Sequence, residues 1–153
     1  MHIYLVRHAH ADDGKDDAAR PLSDKGTKQI RRVGKMLRDT EAFEAKEIWH
    51  SPLVRSRDTA VLLAKRLGSE AKLVEVSGLL HDDDPQIMAR KLGEARRPVA
   101  VVGHDPHLSA LATLLVCGKA KPSRFVLKKC AVLRLEREDG GWSVRWQVSP
   151  ETV

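Results

Sequence analysis

Two histidines, His8 and His104, each follow a run of apolar residues, Ile3-Tyr4-Leu5-Val6 before the first and Pro98-Val99-Ala100-Val101-Val102 before the second. Such runs read as central strands covered on both faces, which places each histidine just beyond a strand's carboxyl end. Arg7 adjoins His8, and Arg55 stands near the start of a helix that follows a third short strand candidate, Glu47-Ile48-Trp49. In open α/β sheets this carboxyl edge is where loops and helix N-termini converge on a ligand. Imidazoles and guanidiniums gathered there suit a dianionic phosphoryl group, because the guanidinium fork matches phosphate oxygens in a bidentate way and helix amides add donors. The same arginines disfavour an imidazolium, so a histidine beside them stays neutral near neutral pH. His8 is then able to attack phosphorus.

These residues meet only if the elements between them return the chain repeatedly to one edge. Ser23 is predicted to cap a helix whose apolar residues Ile30, Val33 and Leu37 recur at helical spacing. Ser51-Pro52 is expected to open a second helix running to about Gly68, with Ala60, Leu63, Ala64 and Leu67 as its buried stripe. Lys72 to Val76 reads as a strand, Asp84-Pro85 as the opening of a helix through about Leu92, and Leu108, Leu111, Ala112 and Leu115 as one face of another helix. The tail alternates Ala131, Leu133 and Leu135, turns at Asp139-Gly140-Gly141, and alternates Trp142, Val144, Trp146 and Val148, the pattern of a hairpin. The expected architecture is an α/β three-layer sandwich: a mostly parallel central sheet flanked by helices, with one antiparallel edge. Its 153 residues, 1–153, suit a single domain.

Composition narrows the partners. Lys and Arg outnumber Asp and Glu by 27 to 21, a formal charge of +6 that favours phosphorylated or acidic partners. Nucleic acid is not expected, since only 4% of residues are aromatic and no stacking motif interleaves with the basic runs Arg90 to Arg97 and Lys119 to Lys129, which read as solvated faces. Cys117 and Cys130 offer neither a metal spacing nor a disulfide framework and fit a reducing compartment. Leu108 to Gly118 is too short to span a bilayer and Ile3 to Val6 is no signal-peptide core, so a cytoplasmic chain without membrane attachment is expected. A monomer is expected too, because the apolar positions are used by intramolecular faces.

Four segments together resemble a known family. Leu5-Val6-Arg7-His8-Ala9 is similar to the arginine-histidine signature of the histidine phosphatase superfamily, which includes the cofactor-dependent phosphoglycerate mutases. Pro21-Leu22-Ser23-Asp24-Lys25-Gly26 resembles that family's helix-opening segment, Ser51-Pro52-Leu53-Val54-Arg55-Ser56-Arg57-Asp58-Thr59-Ala60 its second arginine motif, and Val102-Gly103-His104-Asp105-Pro106 its second histidine motif. Short length, Arg20-Pro21-Leu22 and the closing Trp146-Gln147-Val148-Ser149-Pro150 are most similar to the family's small bacterial phosphohistidine phosphatases. The resemblance implies His8 as nucleophile, with Arg7, Arg55 and His104 binding and stabilising the phosphoryl group, and no metal or other cofactor. It implies as partner a phosphorylated protein, a histidine phosphotransfer domain or similar.

Two departures stand out. Ala9 occupies a position where many members carry glycine, which confines the backbone there to negative φ. Larger members supply a glutamate general acid from an inserted segment that this chain lacks. His81, Asp82, Asp83 and Asp84 are the candidates to replace it, against their reading as a solvated turn before a helix. The missing acid bears on substrate, because imidazole leaves more readily than an alkoxide and demands less protonation. Arg20 is a further candidate for substrate binding, with a salt bridge to Asp16 or Asp17 as the alternative, and Arg57 is expected on the surface.

Three other functions fit parts of the sequence. The same fold could hydrolyse small phosphate esters. His8-Ala9-His10-Ala11-Asp12-Asp13 is superficially similar to a His-x-His-x-Asp-His zinc motif, but its last position is Asp13, and a metal-dependent hydrolase would leave Arg7 and Arg55 unexplained. A catalytically silent module could use the same arginines to bind phosphorylated partners. His2, His50 and His107 are expected to be ordinary hydrogen-bonded residues.

Overall fold

The strands divide their side chains between two helical layers by simple alternation. In the computed structural model, which describes residues 1–153, β1 (His2–Arg7) sends Ile3 and Leu5 to one face and Tyr4 and Val6 to the other, all fully buried. The chain continues through α1 (Asp24–Asp39), β2 (Glu47–His50), α2 (Val54–Leu67), β3 (Lys72–Glu75), α3 (Pro85–Glu94), β4 (Val99–Gly103), α4 (His107–Cys117), β5 (Val132–Glu138) and β6 (Gly141–Val148). The sheet order is β3-β2-β4-β1-β5-β6, with the first four strands parallel and β5 and β6 antiparallel at one edge. The fold is thus a three-layer α/β sandwich.

Each face is closed by one helix pair. Ile30, Val33 and Leu37 of α1 and Ala60, Leu63 and Ala64 of α2 cover Tyr4, Val6, Ile48, Ala100 and Val102. Met88 and Leu92 of α3 and Leu108, Leu111 and Ala112 of α4 cover Ile3, Leu5, Val99 and Val101. No helix is long and apolar enough to cross a membrane.

Local chemistry sets the helix starts that matter for the site. The Ser23 hydroxyl accepts from Gly26 N at 3.0 Å, satisfying an otherwise unpaired amide of α1. Gly26 itself lies so close to the loop after β1 that an added Cβ would stand 2.1 Å from His10 O, so only glycine lets α1 approach there. Asp84 caps α3 by accepting from Gln86 N at 2.9 Å, with Pro85 as the first helical residue.

Three expectations are corrected. The second helix does not open at Ser51-Pro52: it begins at Val54, with Leu53 at its N-cap and no side-chain cap, because Ser51 is engaged elsewhere. The strand expected through Val76 ends at Glu75. The tail hairpin does not keep one alternation, since a bulge sets Trp146 opposite Arg134 and Val144 opposite Leu135, leaving Arg145 as an extra residue. The extra residue flips the pattern, so Trp142 packs with the α3/α4 layer, Trp146 and Val148 with the α1/α2 layer, and Val144 is exposed.

Candidate active site

The register of β1 against β4 pairs Ile3 with Val99 and Arg7 with Gly103, so the two strands release their next residues side by side. His8 N donates to Gly103 O at 3.0 Å, and the His8 and His104 rings face each other with centroids 5.0 Å apart and planes tilted by 48°. Both are buried.

His8 Nδ1 lies 2.7 Å from Ala9 O. A carbonyl only accepts, so Nδ1 carries the proton and Nε2 keeps its lone pair. Burial pushes the His8 pKa down to about 4; the bond to Ala9 O opposes this, and the charges of Arg55, Arg7 and Lys129 add to it. The imidazole is therefore neutral across the physiological range. Ala9 adopts no positive φ, and its N–H donates to Thr59 Oγ1 at 3.0 Å, so alanine fits without strain.

His104 is held from the other end. Its Nε2 lies 2.6 Å from Ser51 Oγ, which also accepts from Leu53 N at 3.3 Å. The assignment that gives the Ser51 hydroxyl an acceptor has it donating to Nε2, which puts the His104 proton on Nδ1. That Nδ1 is buried and has no partner in the protein. Burial, then the charges of His8, Arg55, His81 and His107, push the His104 pKa down to about 3.

The guanidiniums enter from three directions. Arg55, in the first turn of α2, donates from Nη1 to Asp17 O at 2.8 Å and from Nη2 to Asp17 Oδ2 at 3.3 Å. Arg20 donates from Nη1 to Asp17 Oδ1 at 3.1 Å and from Nε to Asp12 O at 2.9 Å. Arg20 thus reaches Arg55 through Asp17, and the hydrogen bond from Arg20, followed by the Arg55 charge, holds the Asp17 carboxyl below the usual range. Arg7 donates from Nη1 to Leu127 O at 2.9 Å, stands 3.8 Å from Asp105 Oδ2, and has a buried Nε without a partner.

The remaining candidates lie outside this group. His81, Asp82 and Asp83 form the turn before α3, with Asp84 at its cap; Asp83 Oδ2 accepts from Leu80 N at 2.9 Å, so both Asp83 and Asp84 serve backbone amides. His81 is the member of this turn whose charge bears on His104. Arg57 is on the surface, 3.5 Å from Asp58 Oδ1. His2 and His50 bond to backbone carbonyls of Glu44 and Ser51, whereas His107, expected to be hydrogen-bonded, is buried with neither ring nitrogen paired. His10 Nδ1 is taken by Ser23 Oγ at 2.6 Å, Asp13 points to solvent, and no three His, Cys, Asp or Glu side chains are placed to hold a metal ion. Burial pushes the Cys130 thiol up to about 12, so this neighbour of His8 is no competing nucleophile.

Sequence reasoning missed Ser51, Thr59 and Lys129, and it offered Asp17 as a salt-bridge partner of Arg20, which the structure shows, without linking it to Arg55. Ser51 and Thr59 lie within the Ser51 to Ala60 segment and were visible as part of it. Lys129 sits in a basic run that read as solvated, yet burial and the nearby charges of Arg7, Arg20, Lys25 and Arg55 lower its pKa.

A sequence model of the histidine phosphatase superfamily, branch 1, matches residues 3–79. No curated protein matches the sequence. Among solved structures, the chain is similar to the protein histidine phosphatase SixA in its tungstate complex, with a TM-score of 0.85, 23% identity, and 98% of this chain and 97% of that one covered. It is also similar to the alpha-ribazole phosphatase of Shigella flexneri, with a TM-score of 0.78, 15% identity and coverage of 98% and 97%. The phosphoserine phosphatase of Entamoeba histolytica in complex with 3-phosphoglyceric acid follows at 0.67, 13%, 97% and 96%. At these identities the likeness establishes a shared fold.

Proposed function

The chain belongs to the histidine phosphatase superfamily, and from that premise we propose that it hydrolyses phosphoryl groups from protein histidines through a covalent phosphohistidine on His8. The observation that carries this reading is the Nδ1 bond from His8 to Ala9 O, which leaves a neutral Nε2 lone pair in a pocket of cations. Nε2 forms a bond to phosphorus as the bond from phosphorus to the substrate imidazole breaks, and the departing imidazole takes a proton. Water then attacks the phosphorus on His8, releasing inorganic phosphate and returning the free imidazole. Arg7 and Arg55 neutralise the phosphoryl oxygens as charge develops, and the unpartnered His104 Nδ1–H donates to one of them. Arg20 acts through Asp17 on Arg55. His81, Asp82 and Asp83 are the candidates for the proton, with His81 favoured because Asp83 already serves the amide of Leu80.

The substrate class rests on the leaving group. Imidazole departs with less help than an alkoxide, which suits a pocket whose acid candidates sit in a turn rather than on an inserted segment. The likeness to SixA, whose substrate is a protein histidine, points the same way. The small-ester reading is favoured by the shared fold with alpha-ribazole phosphatase and phosphoserine phosphatase. The enzyme is read as a cytoplasmic monomer that needs no metal or other cofactor.

A rapid, acid-free quench with a histidine phosphotransfer domain carrying labelled phosphate tests both reaction and substrate. The expected result is base-stable, acid-labile label on His8, with undiminished turnover in chelator. Turnover by His8→Ala equal to the wild type would remove the nucleophile. A kcat/KM for aryl phosphate above that for the phosphodomain would favour the small-ester reading.

A further inference from the structure

Next to the His8 pocket, on the far side of Arg7, lies an open groove of about 1010 Å³ between α4 and the chain that follows it. We propose that this groove is the surface on which the phosphorylated protein docks, receiving an apolar patch rimmed by acidic side chains beside its phosphohistidine. The proposal rests on the protein-histidine reading above and adds to it where that protein is held.

Size is the first argument. A phosphoryl group needs only the small space between His8, Arg7 and Arg55, whereas this groove is at the upper end of what whole drug-sized ligands fill, roughly 300–1,000 Å³. It is therefore built for what carries the phosphate.

Its lining is the second. Phe125, Val126 and Leu127 supply an apolar wall, with Lys121 and Lys128 among the polar residues. Val126 is 74% exposed while its neighbour Leu127 is 1% exposed, so a buried anchor presents an apolar knob to solvent. The wall is fixed rather than loose. Leu127 O accepts from Arg7, Val126 O accepts from Gln147 Nε2 at 2.7 Å, and Arg124 N donates to Thr113 Oγ1 at 2.9 Å. Exposed apolar surface held in place and rimmed by charge is the usual mark of an interface.

Charge distinguishes a protein from a small ester. Two carboxylates meet the groove's cations: Asp105, which accepts from Ser109 and faces Arg7, and Glu151, which pairs with Lys128 at 3.0 Å. Against them stand the three cations Arg7, Lys121 and Lys128, so the balance stays positive and Lys121 is its unpaired cation. A second cavity at the start of α1 is lined by Lys25, Lys28 and Arg32 with the single carboxylate Glu151, so it too is basic on balance. Lys25 acts electrostatically on Lys129, which acts on His8, so Lys25 joins this cavity to the positive field of the pocket. A field on both sides of the phosphoryl site is wider than any small ester and suits the acidic face of a protein.

The test compares two substrates on the intact enzyme: a histidine phosphotransfer domain phosphorylated with phosphoramidate, and a small aryl phosphate. Lys121→Glu and Val126→Asp change exposed side chains. Combined, they are expected to lower kcat/KM for the phosphodomain by roughly ten-fold or more and to flatten its salt dependence, while aryl phosphate turnover stays within about two-fold. An unchanged phosphodomain rate, or an equal loss on both substrates, overturns the docking surface alone. A loss confined to the aryl phosphate reassigns the groove to the organic part of a small ester. A wild-type enzyme that ignores the phosphodomain refutes the substrate reading and the docking surface with it.

Discussion

His8 and His104 occupy equivalent places, each the first residue beyond a buried parallel strand, yet they are held in opposite ways. A backbone carbonyl takes the Nδ1 proton of His8 and leaves Nε2 bare, while a serine hydroxyl covers Nε2 of His104 and leaves Nδ1–H without a partner. One ring is prepared to give an electron pair and the other to give a hydrogen bond. The sheet supplies the positions; the role is decided by which nitrogen the neighbours occupy.

Substitution at the two positions should break the symmetry unequally. His8→Ala is expected to lower kcat by at least about 10⁴-fold and to leave no labelled intermediate, since the adjoining His104 has its Nε2 lone pair engaged by Ser51 and its proton on Nδ1. His104→Ala keeps the nucleophile and loses a donor, so single-turnover kinetics should show a fall of about 10²–10³-fold with label still trapped on His8. Equal losses for both would mean that the two rings share one task.

Ser51→Ala sharpens the comparison by removing the hydroxyl that covers His104 Nε2, together with its longer bond from Leu53 N at 3.3 Å. A loss of about ten-fold in kcat is expected, the worth of one hydrogen bond, with ¹⁵N NMR showing the His104 ring redistributed between its tautomers. An unaltered NMR signature would mean that something other than Ser51 sets that proton. The smallest effect is electrostatic. His8 must be neutral to attack, so kcat/KM should hold down to mildly acidic pH and fall as pH drops through about 4. Lys129→Ala removes one of the cations that oppose the charged ring, so its acid limb should move toward higher pH; movement to lower pH would contradict the proximity of Lys129 to His8.

The sheet and the strand-end positions were legible because they depend on local signals: unbroken apolar runs, helical spacing, and caps such as Ser23 and Asp84. What escaped were pairings made by the fold itself. Ser51 looked like a helix opener because serine often is one, but its partner lies 53 residues along the chain, and the helix starts later at Val54. Asp17 lay in a polar loop with nothing local to tie it to Arg55, 38 residues away. The hairpin misled for a different reason, because a bulge of one residue is invisible to a count of alternating side chains.

That bulge fastens the two halves of the protein together. With Trp142 packed in one helical layer and Trp146 in the other, the edge strand β6 sends one indole to each face of the sheet and so belongs to both layers at once. With Trp49, which packs in the same layer as Trp142, first changed to phenylalanine, replacing Trp142 or Trp146 in turn leaves the other indole as the fluorescent reporter of its layer. Loss of both signals at a single denaturant concentration would be the signature of layers that melt as one.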